Sequence, residues 1–118
     1  MKDEQLYEKA ILWSKRKGFH NIRANFENET YEAPKALKKP SGEAFIPDLT
    51  GSSLGGKNYI EIAMKEEDQE RLVSKWKLFS TLAAMKEGKF YLLAPKGHKA
   101  FTDKLVEKYN ITATVVSI

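Results

Sequence analysis

The spacing of apolar side chains along the chain predicts three helices. Over residues 3–17, apolar positions recur at helical spacing among charged ones, and Gly18 follows basic residues that suit a helix end. Residues 66–87 carry the longest apolar stripe, after an acidic first turn and before Gly88. Residues 98–109 repeat the pattern over a shorter segment, so the middle helix is expected to be the longest.

Alternating or continuous apolar runs predict five strands. They lie at residues 19–26, 44–50, 57–65, 90–94 and 111–118. Pro47 indicates an edge or an end in the second run, and residues 51–56, rich in Gly and Ser, predict a turn to the third. The alternation in the third run places Glu61, Ala63 and Lys65 on one face.

The resulting order of elements is α-β-β-β-α-β-α-β. A hairpin region followed by β-α-β and a further α-β predicts an α/β (α+β) fold, with a mixed central sheet flanked by helices. A length of 118 residues suits one core of ordinary size, so residues 1–118 are expected to form a single domain.

Composition narrows the class of protein. Apolar residues make up 42% and charged residues 31%, a balance typical of a soluble globular protein. Cysteine is absent, which excludes disulfides and thiolate metal sites, and two histidines argue against a histidine-rich zinc site. The charged start does not resemble a signal peptide, and no apolar run is long enough to span a bilayer. A cytoplasmic protein with no membrane partner is expected.

The charge balance permits nucleic-acid binding without requiring it. The formal net charge is +4, from 20 basic and 16 acidic residues. Lys35, Lys38 and Lys39 cluster in an irregular, proline-containing stretch at residues 27–41. That stretch predicts an exposed loop, and the functional alternative is a mobile basic flap that touches phosphates.

Two acidic residues form the one constellation that suggests chemistry. Asp48 ends an apolar run just after Pro47, and Glu61 lies inside the next run. Because two short strands joined by glycines would bring both side chains together, the pattern predicts a pair of convergent carboxylates. Such a pair is what a hard divalent cation such as Mg²⁺ needs.

These residues and the segments around them resemble the PD-(D/E)XK nuclease superfamily, which has the restriction-endonuclease-like fold. I-P-D at residues 46–48 and I-E-I-A at residues 60–63 resemble the two halves of its motif, and S-K-W-K-L-F-S at 74–80 and G-K-F-Y-L-L-A-P at 88–95 resemble the segments that follow. The resemblance covers most of the chain. It implies a Mg²⁺-dependent DNA endonuclease, a hydrolase of phosphodiester bonds, with Asp48 and Glu61 as metal ligands.

One position departs from the motif. The family's lysine, two residues after the second acid, orients the attacking water or stabilises developing charge, but this chain has Ala63 there. Lys65 could substitute, although four residues span about 13 Å along a strand. Alternatively Lys75, on the following helix, reaches the site. If residues 63–65 are instead aligned with the (D/E)XK part of the motif, Lys65 matches the motif's lysine, but Ala63 stands where the motif has an acid. In the remaining interpretation the chain has kept the fold and lost hydrolysis.

Three functions follow from these alternatives. The first is a weak magnesium-dependent DNA nuclease using Asp48, Glu61 and either Lys65 or Lys75. The second is a catalytically degenerate relative that binds nucleic acid, or a protein partner, through the same groove. The third is a non-enzymatic interaction module in which the apolar strand at 111–118 lies at a sheet edge and pairs with a second copy to form a homodimer.

Overall fold

A computed structural model describes residues 2–27 and 30–118 of the chain. Within these ranges the chain forms three helices and seven strands. In chain order they are α1 (Glu4–Arg16), β1 (His20–Ala24), β2 (Leu37–Lys38), β3 (Ala44–Phe45), β4 (Leu49–Ser53), β5 (Gly56–Ile62), α2 (Gln69–Met85), β6 (Phe90–Ala94), α3 (Lys99–Lys108) and β7 (Thr114–Ser117). None of the helices in the described ranges has the length and apolar character needed to cross a membrane.

The central sheet is mixed, as predicted. Five strands lie in the order β1-β4-β5-β6-β7. The first three pair antiparallel, whereas β5, β6 and β7 are parallel and are connected through α2 and α3. The last strand lies at an edge of this sheet, where it was predicted. The predicted α/β fold with helices flanking a mixed sheet is therefore confirmed.

The sheet separates two apolar clusters, and β5 contributes to both. Tyr59 and Ala63 join the cluster beneath α2 and α3, while Ile60 and Ile62 join the cluster beneath α1. This alternation follows from the two-residue period of a strand. All five residues of β6 are buried, as expected of a central parallel strand covered on both faces.

The structure corrects several predicted boundaries. Helix α2 begins at Gln69 rather than at residue 66, because the Asp68 carboxylate caps it by accepting a 3.0 Å hydrogen bond from the Arg71 N–H. The turn predicted at residues 51–56 shrinks to Leu54 and Gly55, which have φ angles of 49° and 79°. A two-residue loop with both φ angles positive lets the flanking strands pair up to the turn.

The segment at residues 27–41 is also more regular than predicted. Leu37–Lys38 forms β2, which pairs antiparallel with β3 as a separate two-stranded sheet, the β2–β3 hairpin. Leu37 and Phe45 pack against the cluster beneath α2, which anchors this hairpin to the domain. Residues 28 and 29 of the predicted loop lie outside the described residues.

Candidate functional site

Asp48 and Glu61 lie on neighbouring strands at the same end of the sheet. The antiparallel register pairs Leu49 with Ile60, so Asp48, one residue before β4, falls opposite Glu61. Both are almost fully buried, with 5% and 1% of their surface exposed. The hairpin geometry thus brings the two carboxylates together, as the spacing of the motif predicts.

Backbone hydrogen bonds between the two strands fix the orientation of both carboxylates. The Asp48 N–H donates to Glu61 Oε1 at 2.8 Å, and the Ile62 N–H donates to Asp48 Oδ2 at 2.8 Å. Each carboxylate therefore accepts a bond from the backbone beside the other. Buried carboxylates need hydrogen-bond donors, and these two backbone bonds hold both side chains in place. Each carboxylate can still accept further hydrogen bonds.

Lys75 reaches the pair from α2. Its Nζ lies 3.0 Å from Glu61 Oε2, and only 12% of its side chain is exposed. Ala63, which stands where the motif has its lysine, is fully buried. It packs in the cluster that includes Leu72 and Trp76 of α2. The small alanine is compatible with close packing of α2 over β5, which delivers Lys75 to the carboxylates.

Lys65 does not reach the pair. Its side chain is exposed, and its backbone N–H donates to His98 Nδ1 at 3.0 Å, beyond the end of β5. Among the contacts of the described residues, none joins the Lys65 ammonium to Asp48 or Glu61. Of the two lysines predicted to replace the one missing at Ala63, the structure brings Lys75 to the site and leaves Lys65 outside it.

Two further residues complete the site, and neither was predicted from the sequence. Lys2 Nζ lies 2.6 Å from Asp48 Oδ2 and 3.5 Å from Glu61 Oε2, so one ammonium contacts both carboxylates. The Tyr7 hydroxyl donates to Asp48 Oδ1 at 2.9 Å. No sequence motif points to Lys2, and Tyr7 is one of the apolar positions over residues 3–17 that predict the first helix.

Burial and neighbouring charge shift the pKa values of these groups. Burial, and then the Asp48 charge, raise the pKa of Glu61 above its usual range, although Lys2 and Lys75 oppose the shift. Burial alone would lower the pKa of Lys2, but Glu61 and Asp48 more than offset it and raise the pKa. Burial and Asp48 also raise the pKa of Tyr7, which therefore stays protonated and remains a donor.

The three lysines predicted as a phosphate-contacting flap lie in and beside the β2–β3 hairpin. Lys35 and Lys38 are exposed, whereas Lys39 Nζ donates to Ser74 Oγ at 2.5 Å. Ser74 immediately precedes Lys75 on α2, so this bond ties the hairpin to the helix that supplies the site's lysine. Lys39 is brought towards the site in this way, whereas Lys35 acts electrostatically on Lys57, near the opposite end of β5 from Glu61.

Two carboxylates suit magnesium better than a metal that needs three or more protein ligands. Within residues 2–27 and 30–118, no cluster of three or more His, Cys, Asp or Glu side chains could hold a metal ion. Magnesium, however, commonly takes one or two carboxylates and completes its shell with water and substrate phosphate. The Lys2 ammonium places one positive charge near both carboxylates, 2.6 Å from Asp48 Oδ2 and 3.5 Å from Glu61 Oε2.

Comparisons with protein-family models, with curated proteins and with solved structures found no significant match to this chain. The geometry of the site is therefore what bears on function. It combines two buried carboxylates, a lysine ammonium beside one of them and a tyrosine hydroxyl beside the other.

Proposed function

We propose that this chain is a nuclease domain of the PD-(D/E)XK type with the restriction-endonuclease-like fold, which hydrolyses phosphodiester bonds of DNA with the help of Mg²⁺. The observation that carries the proposal is the convergence of buried Asp48 and Glu61 with the Lys75 ammonium 3.0 Å from Glu61. Asp48 and Glu61 would hold the metal, and Lys75 would take the role of the lysine missing at residue 63. Bound there, Mg²⁺ would lower the pKa of a water molecule and offset charge on the phosphate.

The protein's own groups are preorganised for this role. Tyr7 and the Ile62 N–H fix the Asp48 carboxylate, and the Asp48 N–H fixes that of Glu61, so neither has to reorient when substrate arrives. Lys75 belongs to α2, and its ion pair with Glu61 positions its ammonium. From there the ammonium can donate to an attacking water or to the developing negative charge. Charged donors in a largely buried site act more strongly than they would in water.

The exposed basic side chains of the β2–β3 hairpin segment favour a polyanionic substrate. Lys35 and Lys38 are exposed on the β2–β3 hairpin segment, which is anchored next to α2 through Lys39 and Ser74. Contacts between such lysines and backbone phosphates would position a strand across the site without reading its sequence.

The proposal is tested by a cleavage assay on plasmid and linear duplex DNA with Mg²⁺ or Mn²⁺, using EDTA as the metal-free control. Wild type should cleave in a metal-dependent manner, and Asp48→Ala should reduce the rate by about 10³-fold, since it removes a ligand and a buried charge. Asp103→Ala is the matched control, because Asp103 is an acidic residue whose 2.7 Å ion pair with Lys99 lies on the exposed surface of α3. Equal residual cleavage by wild type and Asp48→Ala would rule the proposal out.

A second function is favoured by the position of Lys2. With its ammonium against both carboxylates, the formal charges of Asp48, Glu61, Lys2 and Lys75 cancel, which satisfies the site without a metal. In this alternative the chain binds nucleic acid without turnover. Affinity for a duplex should then fall steeply between about 50 and 200 mM salt, with no product formed in Mg²⁺. Binding that does not respond to salt would exclude nucleic acid as the partner.

A further inference from the structure

Lys2 differs from the other side chains that contact the paired carboxylates. The Ile62 N–H donor lies at the end of β5 and the Asp48 N–H donor one residue before β4, and the side chains of Tyr7 and Lys75 project from α1 and α2. Lys2 comes from the segment that precedes α1, outside any helix or strand. It is also the group whose nitrogen contacts both acids, at 2.6 Å from Asp48 Oδ2 and 3.5 Å from Glu61 Oε2.

We propose that Lys2 is a built-in competitor for the cation site: its ammonium occupies the position between Asp48 and Glu61, and a divalent cation binds only when Lys2 swings out. The inference rests on the proposed function in one respect, that the two carboxylates form a cation site. It adds that the site has two exclusive occupants, one of them supplied by the chain itself.

The structure shows why Lys2 can leave without disturbing the fold. Helix α1 is capped by Asp3, whose carboxylate accepts a 2.9 Å bond from the Leu6 N–H, so the helix keeps its cap when residue 2 moves. The carboxylates keep their backbone donors, Tyr7 and Lys75 after Lys2 departs. The exchange therefore breaks the contacts of one side chain and leaves two oxygens, Asp48 Oδ2 and Glu61 Oε2, facing a vacated position.

The exchange also changes the charge presented to a substrate. With Lys2 in place the four charged side chains cancel, whereas a divalent ion in its place leaves the site with a net positive charge. A phosphodiester anion is attracted only in the second state. Lys2 would then couple metal entry to substrate affinity, because both depend on its displacement.

The direct test compares Mn²⁺ affinity, by isothermal titration calorimetry, for wild type, Lys2→Met and Lys9→Met. Methionine is an unbranched side chain of similar length to lysine but carries no charge. Lys9 is an exposed lysine on α1, so Lys9→Met is the charge-matched control. If the ammonium occupies the site nine-tenths of the time, its removal should tighten Mn²⁺ binding about tenfold. Lys9→Met should bind Mn²⁺ as wild type does.

A second measurement needs no substitution. The rate at which an acylating reagent modifies each lysine of the wild-type chain, followed by mass spectrometry, reports whether its amine is accessible. Lys2 should react at least about tenfold more slowly than Lys9 without metal, and should approach the Lys9 rate when Mn²⁺ is added. A Lys2 rate that Mn²⁺ leaves unchanged, while Mn²⁺ binds, would overturn the inference.

The outcomes separate this inference from the proposed function. Equal Mn²⁺ affinity for wild type and Lys2→Met, or weaker binding by the variant, overturns the inference and leaves the nuclease proposal standing. Binding by Lys2→Met with none by wild type supports the inference and contradicts a metal-dependent nuclease in the wild-type chain. Binding by neither protein overturns both.

Discussion

Strand β5 buries a polar side chain near each of its ends, and the two are held in opposite ways. At one end Asn58, 3% exposed, donates to the Gly51 carbonyl and to Ser53 Oγ and accepts from the Lys89 N–H at 2.9 Å. At the other end Glu61, 1% exposed, is a charge held by Lys75 and Lys2 and set beside a second charge, Asp48. Asn58 satisfies neutral groups that belong to the sheet and its turns, whereas Glu61 depends on charged side chains from separate elements.

We expect the neutral end of β5 to contribute to stability and the charged end to contribute to function. A buried amide whose bonds all go to neutral neighbours stabilises the fold by satisfying them, and losing it leaves them unpaired. A pair of buried carboxylates costs desolvation free energy that its lysines only partly return. Burial and Asp48 raise the pKa of Glu61 despite its two lysines, and perturbed pKa values of this kind cluster at functional sites.

The largest expected effect is on catalysis at the acidic end. Glu61→Gln keeps the shape of the side chain and removes its charge, so DNA cleavage per folded molecule should fall by about 10³-fold, and the free energy of unfolding should also fall because Lys75 loses its ion-pair partner. Cleavage rate and a urea titration measure the two quantities. A large loss of stability with cleavage per folded molecule unchanged would place Glu61 in the same class as Asn58.

The next effect tests which lysine serves the site. Lys75→Met should lower cleavage by about 10²-fold, because its ammonium lies 3.0 Å from Glu61 Oε2. The matched variant Lys65→Met should stay within about threefold of wild type, because that side chain is exposed and away from both acids. The reverse ranking in the cleavage assay would return the role to Lys65.

At the neutral end the effect should be on stability alone. Asn58→Ala removes bonds to Gly51, Ser53 and Lys89 and should lower the free energy of unfolding by about 2–3 kcal/mol. Ser53→Ala removes one of these bonds and should cost about 1 kcal/mol. Chemical denaturation measures both changes, and cleavage per folded molecule should match wild type. Reduced cleavage at full folding would mean that the two ends of β5 are coupled.

The smallest effect concerns the group that positions Asp48. Tyr7→Phe deletes the hydroxyl that donates to Asp48 Oδ1 at 2.9 Å and leaves the ring stacked on Phe26. Stability should fall by about 1–2 kcal/mol, since a bond to a charged acceptor is lost. Cleavage should fall by about tenfold through looser placement of the carboxylate. A crystal structure of the variant with Asp48 unmoved and cleavage at the wild-type rate would remove Tyr7 from the site.

Sequence was informative where the contacts are local. Asp48 and Glu61 are joined by a short hairpin, so alternation along two strands and a glycine turn were enough to predict that their side chains meet. The order of helices and strands, read from apolar periodicity, predicted the mixed sheet. The run at residues 44–50 was wrong as a single strand, because it divides into β3 and the start of β4, which belong to different sheets. Strand β2 was missed because two residues, Leu37 and Lys38, carry no periodic signal.

The remaining site residues depend on packing that no local pattern encodes. Lys75 stayed one of two alternatives because its reach depends on how closely α2 lies over Ala63. Lys2 and Tyr7 are 46 and 41 residues from Asp48 along the chain, and they meet it only after α1 has packed on the sheet. An apolar stripe predicts that a helix will pack, but not which polar atom at its edge will face a buried acid.

The most direct test of the paired-carboxylate site is anomalous diffraction from a crystal of the wild-type chain soaked in Mn²⁺. If the two carboxylates form a cation site, an anomalous peak should lie about 2.0–2.2 Å from oxygens of Asp48 and Glu61, with the Lys2 ammonium displaced from that position. A map with no peak there and Lys2 still against both carboxylates at millimolar Mn²⁺ would contradict the presence of such a site.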